Sequence, residues 1–238
     1  MDDPILTPEE REAINAGLWF STLSPTLRHD ILRCAYVKRY RDGAQMFTRG
    51  DAPEEWLAVA KGSARVSSAS LTGKQITFAY VEPGVWFGDV GLFDGDARTH
   101  DVYAHGDTTL VCVARADFER ILHTHVEFYQ AMSRLHARRI RNLYGMVEDL
   151  NTLPLRARLA KQLLHLARSY GLPAVEGGET RIGLQLAQEE LAQLLGASRQ
   201  RVNQELKSME RESSIRIEPA GLVVRNHDAL KRIATAEC

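Results

Sequence analysis

Cysteine is scarce and scattered. Cys34, Cys112 and Cys238 are odd in number, and no two stand at the two-residue spacing of a metal or redox motif. Disulfide frameworks, zinc fingers and cysteine-ligated iron–sulfur clusters therefore lack support, and the thiols read as buried or incidental. Long apolar runs are missing too: none approaches the ~18 residues that a membrane-spanning helix requires. The opening stretch, MDDPILTPEEREAI, is acidic where a secretion signal would be basic and then apolar. The expectation is a cytoplasmic protein without a membrane partner. No charge of one sign dominates, since 30 Lys+Arg face 31 Asp+Glu, a net −1. The balance is uneven along the chain: residues 151–238 carry 13 Lys+Arg against 10 Asp+Glu, or +3, which leaves −4 for the remainder. The C-terminal part thus leans weakly toward an anionic partner.

What is present falls into three zones. Thr7-Pro8-Glu9-Glu10 and Ser24-Pro25 are helix starts, a hydroxyl cap followed by proline, so residues 7–34 predict short helices. From about 36 to 118, glycines at 43, 50, 62, 73, 84, 88, 91, 95 and 106 separate short runs such as QMFTR, EWLAVA, SARVSSAS, QITFAYV and TTLVCVA. That spacing predicts an all-β barrel or sandwich, with hairpin turns at Asp42-Gly43 and Thr72-Gly73. From 117 to 150 there is no proline and a single glycine. Val126, Tyr129, Ser133, His136, Ile140, Leu143, Val147 and Leu150 recur at alternating steps of three and four, a heptad seam. A second row, Ile121, Phe128, Met132, Leu135 and Met146, gives a second apolar face. A long helix greasy on two sides predicts one face on the barrel and one on a second copy, so Tyr129, His136, Ile140, Leu143, Val147 and Leu150 are assigned to a dimer interface. Pro154 ends that helix. A further helix, LRARLAKQLLHLARSYG, is expected to stop at Gly171, and 172–180 to be a loop.

The last zone carries a motif. In LQLAQEELAQLLGASRQRVNQELKSMERE, Leu191 and Leu195 face inward on a first helix, Gly196 permits a sharp turn, and Ser198 caps a second helix. On that second helix Val202, Leu206 and Met209 share one face. The opposite face presents Gln200, Asn203, Gln204 and Lys207, with Arg199 at its edge. Arginine forks onto guanine, and asparagine or glutamine onto adenine, so two helices about a glycine turn predict a helix-turn-helix for double-stranded DNA. SIRIEPAGLVVRN adds two short strands about Pro219-Ala220-Gly221, the wing.

In its order of parts, and in GDAPEEWLAVAKGSARV, FGDVGLFDGDART and ELAQLLGASRQRVNQEL, the chain from about 18 to 228 resembles the CRP/FNR family of bacterial transcription regulators. The resemblance implies an α+β protein: residues 1–118 form a double-stranded β-helix (jelly-roll or β-roll) sensor domain, 119–151 a long dimerisation helix, and 152–238 a winged helix-turn-helix. It makes FGDVGLFDGDART a phosphate-binding cassette. There Gly88 and Gly91 let the backbone approach a ligand. Val90 to Phe93, Leu92 among them, form a helical turn with free N–H groups. Arg98 and Thr99 meet phosphate, and Asp89 takes a ribose hydroxyl. The implied effector is cAMP, cGMP, cyclic di-GMP or a related anion, with Arg139 and Tyr144 of the long helix reaching toward it. Gln188 and Ser198 are implied phosphate contacts on DNA, and RNA polymerase is a possible partner. Two alternatives stay open. One is a regulator with a vestigial pocket, Arg98 merely pairing with Asp94, Asp96 or Asp101. The other is a cupin-like metal enzyme, for which the strands hold no matching His and Glu cluster. No metal site and no catalytic residue are assigned.

Overall fold

Reciprocal capping starts the first helix, α1 (Pro8–Ala16): the Thr7 hydroxyl accepts the Glu10 N–H at 3.2 Å, and the Glu10 carboxylate accepts the Thr7 N–H at 2.9 Å. The computed structural model describes residues 6–70, 75–173, 178–219 and 221–235, and the chain divides into two units, Met1–Arg139 and Ile140–Cys238. In the first unit a 3-10 turn at Phe20–Thr22 leads to α2 (Pro25–Cys34), capped by Ser24. Strands β1 (Tyr36–Tyr40), β2 (Gln45–Phe47), β3 (Glu55–Ala69), β4 (Gln75–Val81), β5 (Trp86–Phe87) and β6 (Asp101–Ala114) follow, with α3 (Val90–Asp94) between the last two.

The expected runs EWLAVA and SARVSSAS are one continuous strand. β3 and β6 pair antiparallel from Glu55 opposite Ala114 to Ser67 opposite Asp101, and the register shifts around Gly62. Gly62 has φ +75°, and a Cβ there would lie 2.6 Å from the Thr108 hydroxyl, so only glycine makes this bend. Each half of the two long strands takes a different neighbour. β5 and β4 flank the two ends of β3, and β1 and β2 flank the two ends of β6. The six-stranded sheet therefore curls into a roll. Asp42-Gly43 does turn, with Gly43 at φ +73°, but it is not a hairpin, because the strands on either side both pair with β6 rather than with each other. Thr72-Gly73 lies outside the described residues.

Alternation along the strands sorts two cores. Leu57 and Val59 of β3 join Leu110 and Cys112 of β6 and Phe87 inside the roll. Trp56, Ala58 and Ala60 turn the other way with Val111 and Val113, and pack beneath Phe20, Leu27, Ile31, Phe118, Ile121, Phe128 and Met132 from the helices. Trp56 and Trp86 lie 4.1 Å apart between ring centroids at the centre of this layer. The helix expected to run unbroken from 117 is two: α4 (Arg115–Thr124) and α5 (Val126–Thr152), separated at His125, whose φ of −125° and ψ of 95° are extended. Of the second apolar row, Ile121, Phe128 and Met132 are buried, Leu135 is half-buried, and Met146 is exposed.

The second unit contains the rest of α5, α6 (Leu155–Tyr170), β7 (Gly171–Pro173), β8 (Thr180–Ile182), α7 (Gln188–Leu195), α8 (Arg199–Arg211), β9 (Ile215–Glu218), β10 (Gly221–Val224) and α9 (His227–Ala234). Both ends of the segment expected to be a loop are strands, and the sheet runs β7-β8-β10-β9. Gly171 ends α6 without the left-handed cap (φ −70°). Glycine stands there because a Cβ would meet the Ala167 carbonyl at 2.0 Å and the Thr180 methyl at 2.7 Å.

Glu10 ties α1 to the roll. It is 3% exposed, pairs with Arg39 at 2.8 Å and accepts the Thr109 hydroxyl at 2.7 Å. Burial alone would raise its pKa, but the Arg39, Thr7 and Thr109 bonds hold it at about 2, against 4.5. A depressed folded pKa adds stability that is complete above the unfolded value and disappears as the pH drops toward the folded one. Glu10→Gln is expected to lower the unfolding free energy by on the order of 2–3 kcal/mol at neutral pH, and its deficit against the parent should shrink from pH 4.5 down to pH 2. Urea unfolding at several pH values measures this; a deficit independent of pH would reduce Glu10 to a packing role.

Candidate effector cassette and nucleic-acid interface

The cassette is built around a buried guanidinium. Gly88 has φ +80°, and a Cβ there would come within 2.8 Å of Arg98 Nη1, so glycine clears the space that Arg98 fills. Arg98 is 8% exposed and donates to the main-chain carbonyls of Gly88 and Glu55, each at 2.6 Å. Its charge lies over the Phe47 ring at 4.5 Å, and its Nε is buried without a hydrogen-bond partner. Two main-chain carbonyls, rather than Asp94, Asp96 or Asp101, take its terminal nitrogens. Burial lowers its pKa, opposed by the charges of Glu55 and Asp89. Asp89 precedes α3, and its carbonyl accepts from Leu92 and Phe93. Val90 is exposed and Leu92 buried. Gly91 packs tightly against the protein itself, since a Cβ would lie 2.5 Å from the Asp96 carbonyl and 2.9 Å from Pro53. Its bare Cα thus serves the packing of the fold as well as lining the cavity. Thr99 is exposed, and its hydroxyl lies 2.8 Å from His100 Nδ1.

Asp89 does not face the cassette alone. Its carboxylate is fully buried, 2.6 Å from His136 Nε2 and 2.9 and 2.8 Å from Arg139 Nη1. Arg139 also donates to the Trp86 carbonyl, and the His136 ring meets Phe93 edge-on at 5.2 Å. Burial would raise the Asp89 pKa, but the hydrogen bond from His136 and the charge and bonds of Arg139 hold it below the ordinary carboxylate range. His136, assigned to the dimer seam, is therefore turned to its own roll. The spacing that reveals this is three residues, which puts His136 and Arg139 on one helical face. A cavity of about 200 Å³ is lined by Gly88, Asp89, Val90, Gly91, Arg98, Thr99 and Arg139 together with Phe47, Val66, Phe87, Val102 and His100. Leu92 and Tyr144 do not line it, and Tyr144 is 73% exposed on α5. The other seam residues, Tyr129, Ile140, Leu143, Val147 and Leu150, are exposed by 46%, 50%, 58%, 57% and 59%.

In the second unit α7 and α8 meet at Gly196, left-handed at φ 60° and ψ 30°. Ser198 caps α8 by accepting the Arg201 N–H at 3.4 Å. Leu191, Leu195, Val202, Leu206 and Met209 are buried. Arg199, Gln200, Gln204 and Lys207 are exposed, whereas Asn203 is half-buried and bonded to Gln188 at 3.3 Å. The acids of α8 and its end are turned to the scaffold. Glu205 and Glu212 pair with Arg156 of α6, and Glu210 accepts the Ile217 N–H at 2.8 Å. The exposed charges on the helix are then Arg199, Arg201, Lys207 and Arg211. Arg201 and Arg211 stand outside the row expected from the sequence, though Arg211 lies only one turn, four residues, beyond Lys207.

Two family models match in the same order as the two units. The cyclic nucleotide-binding domain matches residues 37–125, and the Crp-like helix-turn-helix domain matches residues 157–233. The CRP-like cAMP-activated global transcriptional regulator of Mycobacterium tuberculosis is 29% identical over 192 residues, which cover 81% of this chain and 85% of that protein. The cyclic AMP receptor protein of Thermus thermophilus is 30% identical over 205 residues, covering 85% of this chain and 91% of that one. The structure of FixK2 from Bradyrhizobium japonicum has the same fold, with a TM-score of 0.74 at 20% identity over 86% of this chain and 99% of that chain. A β-roll with its cassette, a long helix and a winged helix-turn-helix, matched in sequence at this coverage, make the chain a member of the CRP/FNR family of bacterial transcription regulators.

Proposed function

We propose that this regulator acts as a homodimer on a palindromic DNA site, with its affinity set by a small anion, a cyclic nucleotide such as cAMP, cGMP or cyclic di-GMP, in the roll. The observation that carries the reading is the exposed apolar row on α5. Ile140, Leu143, Val147 and Leu150 repeat on one helical face in water, and a second copy of the same helix is the self-complementary way to cover such a seam. Two α8 helices, each with outward cations, would then meet successive turns of the duplex about 34 Å apart, the spacing at which dimeric helix-turn-helix proteins meet their two half-sites. RNA polymerase is the partner such a complex would engage. The cavity supports an anionic effector through Arg98 and Arg139, and Asp89 supports a hydroxyl-bearing one. Family membership replaces the cupin-like enzyme with a regulator.

A specific observation also favours a second reading. Both terminal nitrogens of Arg98 are engaged by carbonyls and Asp89 is engaged by His136 and Arg139, so the charged groups of the cassette have partners within the protein itself. In that reading the protein binds DNA constitutively.

Three outcomes are expected. Leu143→Asp yields a monomer by light scattering that no longer shifts the palindrome in a gel; a dimer of unchanged mass refutes the seam. A true effector at 100 times its Kd stabilises the protein by about 2.7 kcal/mol, read as a thermal shift with cAMP, cGMP and cyclic di-GMP in turn, and no shift with any of them selects the constitutive reading. Arg199→Ala weakens binding to the preferred site by about 1–3 kcal/mol and relaxes one base pair; equal weakening on every sequence makes Arg199 a phosphate contact.

A further inference from the structure

One side-chain pair on the DNA-reading surface restricts what it can read. Gln188, the first residue of α7, donates from Nε2 to Oδ1 of Asn203 on α8 at 3.3 Å, and both residues are half-buried. The start of α7 is itself fixed, because Glu190 accepts the Ala187 N–H at 2.9 Å. Asn203 sits at the inner margin of the outward arc, with buried Val202 and Leu206 on one side and exposed Gln200, Gln204 and Lys207 on the other. An unrestrained asparagine offers a donor and an acceptor side by side and suits adenine, which presents N6–H₂ beside N7. Here the bond from α7 orients the amide, drawing Oδ1 toward Gln188 and leaving the two hydrogens of Nδ2 as the groups to offer a base edge.

We infer that Gln188 is a positioning residue for base selection: by holding Oδ1 of Asn203 it leaves Nδ2 as an outward donor, so the half-site base facing Asn203 is a keto base, guanine or thymine, rather than adenine. The inference rests on the DNA-reading function proposed above. Guanine accepts at O6 and N7 and thymine at O4, whereas cytosine presents only an amino donor, and adenine, whose N7 can take one hydrogen, loses the second bond that an outward Oδ1 would accept from N6–H₂. It also reassigns Gln188, expected on a DNA phosphate. A phosphate contact fixes register without base preference, whereas a residue acting through Asn203 leaves its mark on one column of the site.

Amide chemistry supplies the test. In Gln188→Glu the partner becomes an acceptor only, and Asn203 satisfies it by turning Nδ2 inward and Oδ1 outward. The full-length parent, Gln188→Glu, Gln188→Ala, and Gln188→Glu combined with Asn203→Ala are each used to select from duplexes with a randomised centre, with and without cAMP, cGMP and cyclic di-GMP. The parent is expected to enrich a keto base in one column of each half-site. Gln188→Glu converts that column to an amino base, with a change of about tenfold in the base ratio, and Gln188→Ala broadens it. With Asn203→Ala present, Gln188→Glu no longer moves the column. If Gln188→Glu weakens binding on all sequences alike and leaves every column as in the parent, Gln188 touches phosphate and the inference fails while the DNA-reading function stands. If the parent enriches nothing under any condition, the DNA-reading function fails and this inference falls with it.

Discussion

A carboxylate removed from water stays ionised only where a cation and hydrogen bonds meet it, and Asp89 receives the Arg139 guanidinium and the His136 ring from a single helix. His136 and Arg139, three residues apart on α5, close on it from the same side. The pairing fixes the rotation of the first half of α5 against the roll, a rotation that Phe128 and Met132 share through the outer core. It also fixes the cassette. Gly88 takes a left-handed turn that makes room for Arg98, Arg98 holds the Gly88 carbonyl, and the next residue delivers its carboxylate to α5. Sensor loop and helix are joined by charge as well as by packing.

This joint defines what an effector has to accomplish. A ligand shifts an equilibrium only by binding one state better than another. A molecule that merely fills the cavity of about 200 Å³ leaves Asp89 bound to α5 and changes little. A molecule whose hydroxyl bonds to Asp89, while its anion faces Arg139 or Arg98, trades one set of partners for another and alters what α5 is fastened to. Stripping a partner from a buried ion pair without replacement costs about 3–5 kcal/mol. Under the proposed function, an effector would be selected by its capacity to replace both the contacts of Asp89 and the carbonyls at Arg98.

Much of this architecture is legible in the chain, and the gaps have physical causes. Caps at Thr7, Ser24 and Ser198, the left-handed turn at Gly196 and the apolar faces of α7 and α8 are local, and local rules find them. The break at His125 has no proline or glycine to announce it. There Asp30 of α2 bonds the His125 ring at 2.8 Å, a contact between residues far apart in sequence. Asp42-Gly43 signals a turn, but the pairing of its flanks is decided by β6, sixty residues on. β7 and β8 are three residues each, too short for alternation to register, and exist because β10 offers an edge to β8 and β8 in turn offers one to β7. His136 fits the heptad seam as well as it fits the roll, and only the burial of Asp89 settles its direction. The same limit applied to Gln188, whose partner lies fifteen residues away across the turn.

Net charge understates the DNA-facing surface for a related reason. An excess of three positive charges over 88 residues is a weak field when spread evenly, and α8 does not spread it. Helical geometry places Glu205 and Glu212 toward Arg156, and Glu210 toward the backbone of β9, so each acid is consumed in holding the recognition helix to its scaffold. The cations Arg199, Arg201, Lys207 and Arg211 are left on the exposed side. Nucleic acid responds to the charges it can approach, because affinity from counterion release counts phosphates neutralised at the surface rather than the formal sum of the chain. Segregation thus does two jobs with one set of residues: the acids stabilise the helix in place, and their withdrawal makes a nearly neutral protein locally basic where the duplex would lie.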